Sequence, residues 1–222
     1  MRLLALLVAL LPVGHSVDAR AIRPVVLGSP AAAHRVLVVG CIHGNETAGI
    51  AIVQRLIAAG AQPGTEIVAV TSVNPDGCAR GTRQNAHGVD LNRNFHSNWT
   101  PIGHPGSYQY AGPGPLSEPE SRYSVALIER LRPQITIWFH QHQGFVRAWG
   151  QSIATARRFA QLADYPYRSI EWPFGTASNW QNHRFPGTAS FVVELPAGPV
   201  PASRVAVWVR AIRKLAVEGY RR

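Results

Sequence analysis

Residues 36–46 read Val-Leu-Val-Val-Gly-Cys-Ile-His-Gly-Asn-Glu, and this stretch decides the fold. Its first four residues are an unbroken apolar run rich in β-branched side chains, typical of a strand that is covered on both faces. Residues 47–59 then carry apolar side chains at helical spacing and end at Gly60. A buried strand followed directly by an amphipathic helix indicates an α/β domain.

The same alternation continues along the chain. The further strands that it predicts are 67–73, 135–140 and 189–195, and the further helices are 118–131, 152–162 and 203–217. Strands that alternate with helices predict a single α/β domain with a mostly parallel, mixed sheet flanked by helices. In such sheets ligands bind outside the carboxyl ends of the strands.

The first nineteen residues have the pattern of a secretory signal peptide. A short basic start is followed by the apolar run 3–13, and Val17-Asp18-Ala19 offers small or apolar residues for a signal peptidase. The apolar run is too short to span a bilayer. We therefore expect residues 1–19 to be a signal peptide and residues 20–222 to form the domain. The protein is then secreted, or lies in the periplasmic or cell-wall space.

Composition narrows the possible partners. Hydrophobic residues make up 46% of the chain and charged residues 15%, which excludes disorder for most of it. The net charge of +10 favours anionic partners. Because there is neither a recognised nucleic-acid module nor a concentrated basic stripe, we expect no nucleic-acid partner, and membrane contact only through the signal peptide.

The chain has two cysteines, Cys41 and Cys78, each beside a motif of interest. In an exported protein such a pair can form a disulfide. Whether these two are joined stays open at the level of sequence. They are too few to build a cysteine zinc site.

Polar side chains with metal-binding or acid–base chemistry stand at the ends of the predicted strands. His43 and Glu46 follow the first strand, His140 ends the third, and Glu194 lies at the end of the last. Two imidazoles and a carboxylate around Zn²⁺ leave a position for a water molecule, as in hydrolytic zinc enzymes. By chemistry alone, His142 is an equally good ligand to His140.

Such a site needs further groups. A second carboxylate must move protons, and Glu194 is free for that role. One arginine can stabilise the charge on an attacked carbonyl oxygen, and another can bind a substrate carboxylate. The sequence supplies Arg83 and Arg93 for these two tasks.

In combination and in order, these motifs resemble the zinc carboxypeptidase family. The motifs that carry the resemblance are His43-x-x-Glu46, Asn74-Pro75-Asp76-Gly77, Asp90-Leu91-Asn92-Arg93-Asn94-Phe95, His140 and Glu194. The resemblance spans residues 36–195 and implies a carboxypeptidase-like fold with one Zn²⁺ per chain. It implies that the zinc ligands are His43, Glu46 and His140, that Arg83 polarises the scissile carbonyl, that Asn92 and Arg93 hold a terminal carboxylate, and that Glu194 is the general base.

The short length and the segment Ser117-Glu118-Pro119-Glu120 look more like the small bacterial murein peptide amidases than the larger digestive enzymes. Members of that branch cut peptidoglycan stem peptides on the carboxyl side of γ-D-glutamate. The resemblance implies a secreted zinc metallopeptidase that hydrolyses an amide bond next to a free carboxylate, in peptidoglycan-derived or other small peptides. The tyrosine that digestive members carry before the catalytic glutamate is missing, so Asn182 or His183 contacts substrate instead, or neither does.

Two other functions stay open. The first is an N-acyl amino acid deacylase, similar to the succinylglutamate and aspartate deacylases that share the His-x-x-Glu element. The second is a non-catalytic protein that binds the cell wall. The predicted secretion and the Asn-Pro-Asp-Gly motif favour a peptidase over a deacylase, and the intact ligand set argues against a binding protein.

Overall fold

The structure, a computed structural model, describes residues 11–221. The strands are β1 (Gly14–His15), β2 (Ala21–Ile22), β3 (Pro24–Gly28), β4 (His34–Val39), β5 (Thr65–Val70), β6 (Ile135–Gln141), β7 (Phe145–Ala148), β8 (Tyr167–Ser169) and β9 (Ala189–Leu195). The helices are α1 (Ala48–Ala59), α2 (Pro75–Arg80), α3 (Pro119–Leu131), α4 (Ile153–Leu162), α5 (Ala177–Arg184) and α6 (Ala202–Glu218). No helix in this range is both long and apolar enough to cross a membrane.

A seven-stranded sheet in the order β3-β5-β4-β6-β9-β7-β8 forms the centre of the domain. Strands β5, β4, β6 and β9 are parallel to one another, whereas β3 and β7 pair antiparallel with β5 and β9. The carboxyl ends of the four central strands therefore meet at one edge. The predicted single α/β domain with a mostly parallel, mixed sheet is confirmed.

The core is built where the sequence has continuous apolar runs. Every residue of β5 and β9 is buried, and α1, α4 and α6 pack against the sheet and against one another. Trp208 of α6 makes an edge contact with Phe139 of β6. Because alternate strand residues face opposite sides, the next residue, His140, points away from this core. Packing of the apolar face thus fixes the direction of a polar side chain.

The strand predicted over 67–73 ends at Val70, and the Asn-Pro-Asp-Gly motif is not a simple turn but the start of α2. Asn74 caps this helix by accepting a hydrogen bond from the Gly77 N–H, and Pro75 occupies its first turn. A short helix, which begins within this motif, therefore follows the loop after β5.

The Ser117–Glu120 segment anchors the long loop that the sequence placed before α3. The amide of Asn85 donates hydrogen bonds to the carboxylates of Glu118 and Glu120, and Asn94 donates to the Ser117 hydroxyl. These contacts tie both halves of the loop to the start of α3. A long segment with little regular structure can therefore present side chains at fixed positions.

The predicted signal peptide lies partly outside the described residues. Residues 11–19 are described, and they contact the domain. Both the Ser16 hydroxyl and the Asp18 N–H donate to the buried Asp76 carboxylate, and the Val17 N–H donates to Glu120. Cleavage after Ala19 would remove these hydrogen bonds. The position of the mature N-terminus stays a prediction, which N-terminal sequencing of the protein purified from cells that produce it can settle.

The fold brings Cys41, in the β4–α1 loop, next to Cys78 of α2. Their sulfur atoms lie 2.9 Å apart as free thiols, and the Cys41 thiol also contacts the backbone oxygen of His43. The disulfide that the sequence left open is thus compatible with the fold. It stays a prediction, which the intact mass before and after reduction would test.

Candidate metal centre and substrate cleft

The side chains that the sequence placed at strand ends meet in one cleft. His43 and Glu46 lie between β4 and α1, His140 lies one residue before the end of β6, and Glu194 lies one residue before the end of β9. His140 and Glu194 are direct partners in the β6–β9 ladder. All four line the same cleft.

His43, Glu46 and His140 form a buried cluster whose candidate ligand atoms lie within 4.8 Å of one another. His43 Nδ1 is 2.9 Å from Glu46 Oε1, and His140 Nδ1 is 2.9 Å from Glu46 Oε2. The two Nδ1 atoms are 3.1 Å apart. His142, the alternative ligand, is exposed and is not part of this cluster.

Asp90 orients the first of these histidines. Its Oδ1 lies 3.0 Å from His43 Nε2, and the carboxylate is fully buried. A proton on Nε2 that is donated to Asp90 leaves the lone pair of Nδ1 directed at Glu46 and His140. The sequence showed the motif that contains Asp90 but did not identify this role.

The electrostatics of the cluster favour a cation. Burial by itself lowers the pKa of His43, but the carboxylates of Asp90 and Glu46 outweigh it and raise that pKa. Burial likewise raises the pKa of Glu46, yet the two histidines hold it well below its usual range. Electron-pair donors that converge on one buried point need a positive charge between them. Two imidazoles and a carboxylate fit Zn²⁺ in ligand type and number.

Arg83 borders the cluster. Its guanidinium donates to Glu46 Oε1 and to Asp90 Oδ2, each at 3.0 Å, and stacks over the exposed ring of Tyr108. Burial lowers the pKa of Arg83, but these two carboxylates outweigh it and raise the pKa, so the side chain stays charged. A cation is thus held beside the metal-binding atoms.

Asn92 and Arg93 form the next wall of the cleft, in a short 3₁₀ turn over Leu91–Arg93. The side-chain oxygen of Asn92 accepts from the Ala177 N–H at the start of α5, which fixes the turn. Arg93 donates to the Asn92 backbone oxygen and has no ion pair within residues 11–221. Burial lowers its pKa.

Glu194 lies beside His140 on the neighbouring strand and has little exposed surface. Its Oε2 is buried and has no hydrogen-bond partner in the part of the chain that the structure describes. An unpartnered buried carboxylate oxygen is costly unless a ligand engages it. Because Glu194 lines the cleft, a water molecule or a substrate bound there is the candidate partner.

The structure also shows cleft residues that sequence reasoning missed. Among those that line the cleft beside the predicted set are Tyr108, Gln109, Arg147, Trp172, Thr176 and Ser178. Asn182 and His183, suggested in place of the family tyrosine, are not among the lining residues. Asn182 instead bonds Ser152 and the Ser190 backbone, and His183 contacts the Asn179 carbonyl.

Replacing Asp90 by asparagine is expected to weaken zinc binding about 10- to 100-fold, the usual cost of losing the partner of a metal-binding histidine. An amide can accept from His43 Nε2–H, but it supplies no charge. Competition with a fluorescent zinc chelator measures the affinity. Asp164→Asn, at an exposed position outside the cleft, is the control. Equal affinity in D90N and the wild type would show that Asp90 does not tune the histidine.

Comparisons with known proteins agree with this site. The chain matches the zinc carboxypeptidase family over residues 5–173. Murein peptide amidase A of Escherichia coli K12 is 32% identical over 127 residues, which cover 50% of this chain and 48% of that relative. The chain thus matches about half the length of this relative.

Two solved structures show the same fold. The murein-tripeptide amidase of Escherichia coli O157 has a TM-score of 0.71 at 25% identity, over 91% of this chain and 89% of that chain. A succinylglutamate desuccinylase of Silicibacter sp. TM1040 has a TM-score of 0.66 at 16% identity, over 90% of this chain and 61% of that one. The second likeness shows the fold alone.

The family match covers most of the chain and includes the stretch with His43, Glu46 and His140. The donor set of the cluster fits the metal that gives the family its name. By fold, motifs and metal-binding cluster, this chain belongs to the zinc carboxypeptidase family.

Proposed function

We propose that this protein is an exported zinc metallopeptidase that hydrolyses an amide bond next to a free carboxylate, with peptidoglycan stem peptides as substrates. One observation carries the proposal: a single cleft holds the His43–Glu46–His140 cluster, the unpartnered carboxylate oxygen of Glu194 and the unpaired guanidinium of Arg93. These are the metal site, the base and the carboxylate anchor that such a hydrolysis requires.

His43, Glu46 and His140 would hold the zinc. When bound, zinc supplies Lewis-acid polarisation of a carbonyl and lowers the pKa of water. Asp90 keeps His43 in the tautomer whose Nδ1 faces the metal position. This leaves the remaining chemistry, which is proton transfer and charge stabilisation, to side chains around the cluster.

Glu194 would take the proton from the attacking water and deliver it to the leaving nitrogen. Its carboxylate suits both steps because Oε2 has no hydrogen-bond partner among residues 11–221. Arg83 would stabilise negative charge on the carbonyl oxygen as the bond breaks. Its own pairing with Glu46 and Asp90 holds it at the edge of the metal cluster.

Arg93, with Asn92, would bind the free carboxylate of the leaving group by charge-assisted hydrogen bonds. This contact sets the position of the scissile bond relative to Glu194. The names of the relatives, murein peptide amidase and murein-tripeptide amidase, support a stem peptide as substrate. The net charge of +10 suits an anionic cell wall.

Replacing Arg93 by alanine tests the anchor. We expect kcat/KM for a substrate with a free carboxylate to fall about 10- to 100-fold, which corresponds to losing a charged hydrogen-bond pair of roughly 1.5–3 kcal/mol. The same peptide with an amidated carboxylate should lose at most about twofold. Arg80→Ala, which removes an equal charge at an exposed site outside the cleft, is the control. An equal loss on both substrates would exclude the anchor role.

A deacylase is the second candidate, because the fold is shared with a succinylglutamate desuccinylase. N-acyl amino acids also carry a free carboxylate next to the amide, so the same cleft could accept them. Mass spectrometry of products from matched N-acyl amino acids and stem peptides separates the two functions. Retention on insoluble peptidoglycan without release of any amine would instead support a binding protein.

A further inference from the structure

Arg147 is a cleft residue to which none of the steps above assigns a role. It lies in β7, which pairs antiparallel with β9 so that Phe145 faces Glu194 and Arg147 faces Val192. Paired residues of neighbouring strands project to the same face of the sheet. Arg147 thus emerges on the face that carries Glu194, two residues further from the sheet edge, which is roughly 7 Å along the strand.

The guanidinium of Arg147 is only partly satisfied. It donates to the backbone oxygens of Ile170 and Glu171, and it lies 5.6 Å from the centre of the Trp172 ring. No carboxylate forms an ion pair with it among residues 11–221. These contacts hold the side chain in place and leave its charge without a counter-ion.

Three other partly buried arginines are neutralised: Arg35 pairs with Glu66, Arg83 with Glu46 and Asp90, and Arg158 with Glu218. Arg204 and Arg213 of α6 have no ion pair among residues 11–221, but they do not line the cleft. Arg93 and Arg147 line the cleft, and neither has a carboxylate partner in the described part of the chain. Burial lowers the pKa of both arginines. The charge of Arg93 lowers the pKa of Arg147 further, whereas Glu194 raises it. Arg83 lowers the pKa of Arg93, whereas Asp90 raises it.

A partly desolvated cation without a counter-ion is costly unless a ligand supplies the opposite charge. Glu194 is the acidic residue that lines this part of the cleft, and the proposed reaction needs it free. Arg93 accounts for one substrate carboxylate. The guanidinium of Arg147, two residues further from the sheet edge than Glu194, also has no carboxylate partner. It therefore indicates that the substrate carries a second carboxylate.

We propose that Arg147 binds a carboxylate on the side chain of the leaving amino acid, so that the cleft selects dicarboxylic leaving groups. This inference rests on the proposed function and names its substrate class. Diaminopimelate, glutamate and aspartate belong to that class. Lysine, which is diaminopimelate without its side-chain carboxylate, does not.

Two stem tripeptides that differ by this one carboxylate provide the test: L-Ala-γ-D-Glu-meso-diaminopimelate and L-Ala-γ-D-Glu-L-Lys. We expect the zinc-loaded wild-type protein to prefer the first by about 10- to 100-fold in kcat/KM. Arg147→Met, which keeps an unbranched, flexible side chain and removes its charge, should abolish this preference by lowering turnover of the first peptide only. Arg147→Lys should restore part of it.

The control variant is Arg168→Met, an exposed arginine of the neighbouring strand β8. It should keep the wild-type preference. A wild-type protein without preference, or an R147M protein that loses activity equally on both peptides, overturns the proposal. If R147M does not fold, the wild-type preference and the partial rescue in R147K still decide.

A binding measurement separates this inference from the proposed function. Calorimetry compares the free amino acids glutamate and glutamine, and diaminopimelate and lysine, on the same zinc-loaded proteins. Preference for the dicarboxylic member of each pair, lost in R147M, supports the role of Arg147 even if neither stem peptide is cleaved. Equal binding within each pair by the wild type overturns it, whatever the catalytic result.

Discussion

A Glu194→Gln protein is expected to retain zinc and to lose about 10²- to 10⁴-fold in kcat. The glutamine has the same shape but cannot accept the proton of the attacking water, and general-base catalysis is worth about 10²–10⁴-fold. The metal ligands lie on other strands and loops, so their arrangement should persist. Metal content by atomic emission and single-substrate kinetics measure the two effects on one preparation.

Glu171→Gln is the matched control, because Glu171 is an exposed carboxylate near the cleft whose contact with Arg147 is made through its backbone. It should keep both zinc and near-normal turnover. If E194Q turned over at a rate close to the wild type, Glu194 would not be the base. If E194Q lost zinc, Glu194 would contribute to metal binding, and its assignment as a base that is not a ligand would be wrong.

His140→Ala is expected to weaken zinc binding by more than about 100-fold, the upper range for residues that merely orient a ligand. Removing His140 leaves one imidazole and one carboxylate, which is too few for the three protein ligands of an open zinc site. Turnover should fall with zinc occupancy. Equilibrium dialysis against a zinc buffer measures the affinity.

His142→Ala is the matched control for this ligand assignment. His142 is exposed, lines the mouth of the same cleft and lies two residues from His140. We expect its replacement to leave zinc affinity within about threefold of the wild type. If H142A lost the metal and H140A kept it, the choice between the two histidines would be reversed.

The parts of the fold that were predictable from the sequence are those where burial leaves a continuous pattern. The run at 36–39 and the strand at 189–195 are buried along their length, so every residue except Glu194 is apolar or small and the strands are recognisable. Strands β3, β7 and β8 were missed. The two edge strands, β3 and β8, are short and partly exposed, and β7 has only four residues. Neither alternation nor a long apolar run marks them.

The candidate site divides in the same way. His43, Glu46, His140 and Glu194 were predictable because each stands at the end of a recognisable strand. Arg147 was not, because it lies in the short strand β7, and only the register of β7 against β9 places it in the cleft. The position of side chains on such short strands depends on pairing that no local pattern encodes.

Asp90 and the N-terminal segment illustrate a second limit. The Asp-Leu-Asn-Arg motif was visible, but the contact of Asp90 with His43 joins a loop to a strand end 47 residues earlier. Likewise, the apolar start resembles a signal peptide, while the contacts of residues 16–18 with Asp76 and Glu120 come only from the folded arrangement. Which residues contact a polar side chain from distant parts of the sequence is set by the topology of the fold and is not visible in a local motif.

The most direct measurement combines metal analysis with product analysis on the purified protein. Bound metal is determined, and the zinc-loaded protein is incubated with L-Ala-γ-D-Glu-meso-diaminopimelate, with products identified by mass. We predict one zinc per chain and release of free diaminopimelate. A protein that binds no zinc after zinc is added back, and that releases no amine from this peptide, would contradict the proposed zinc peptidase site.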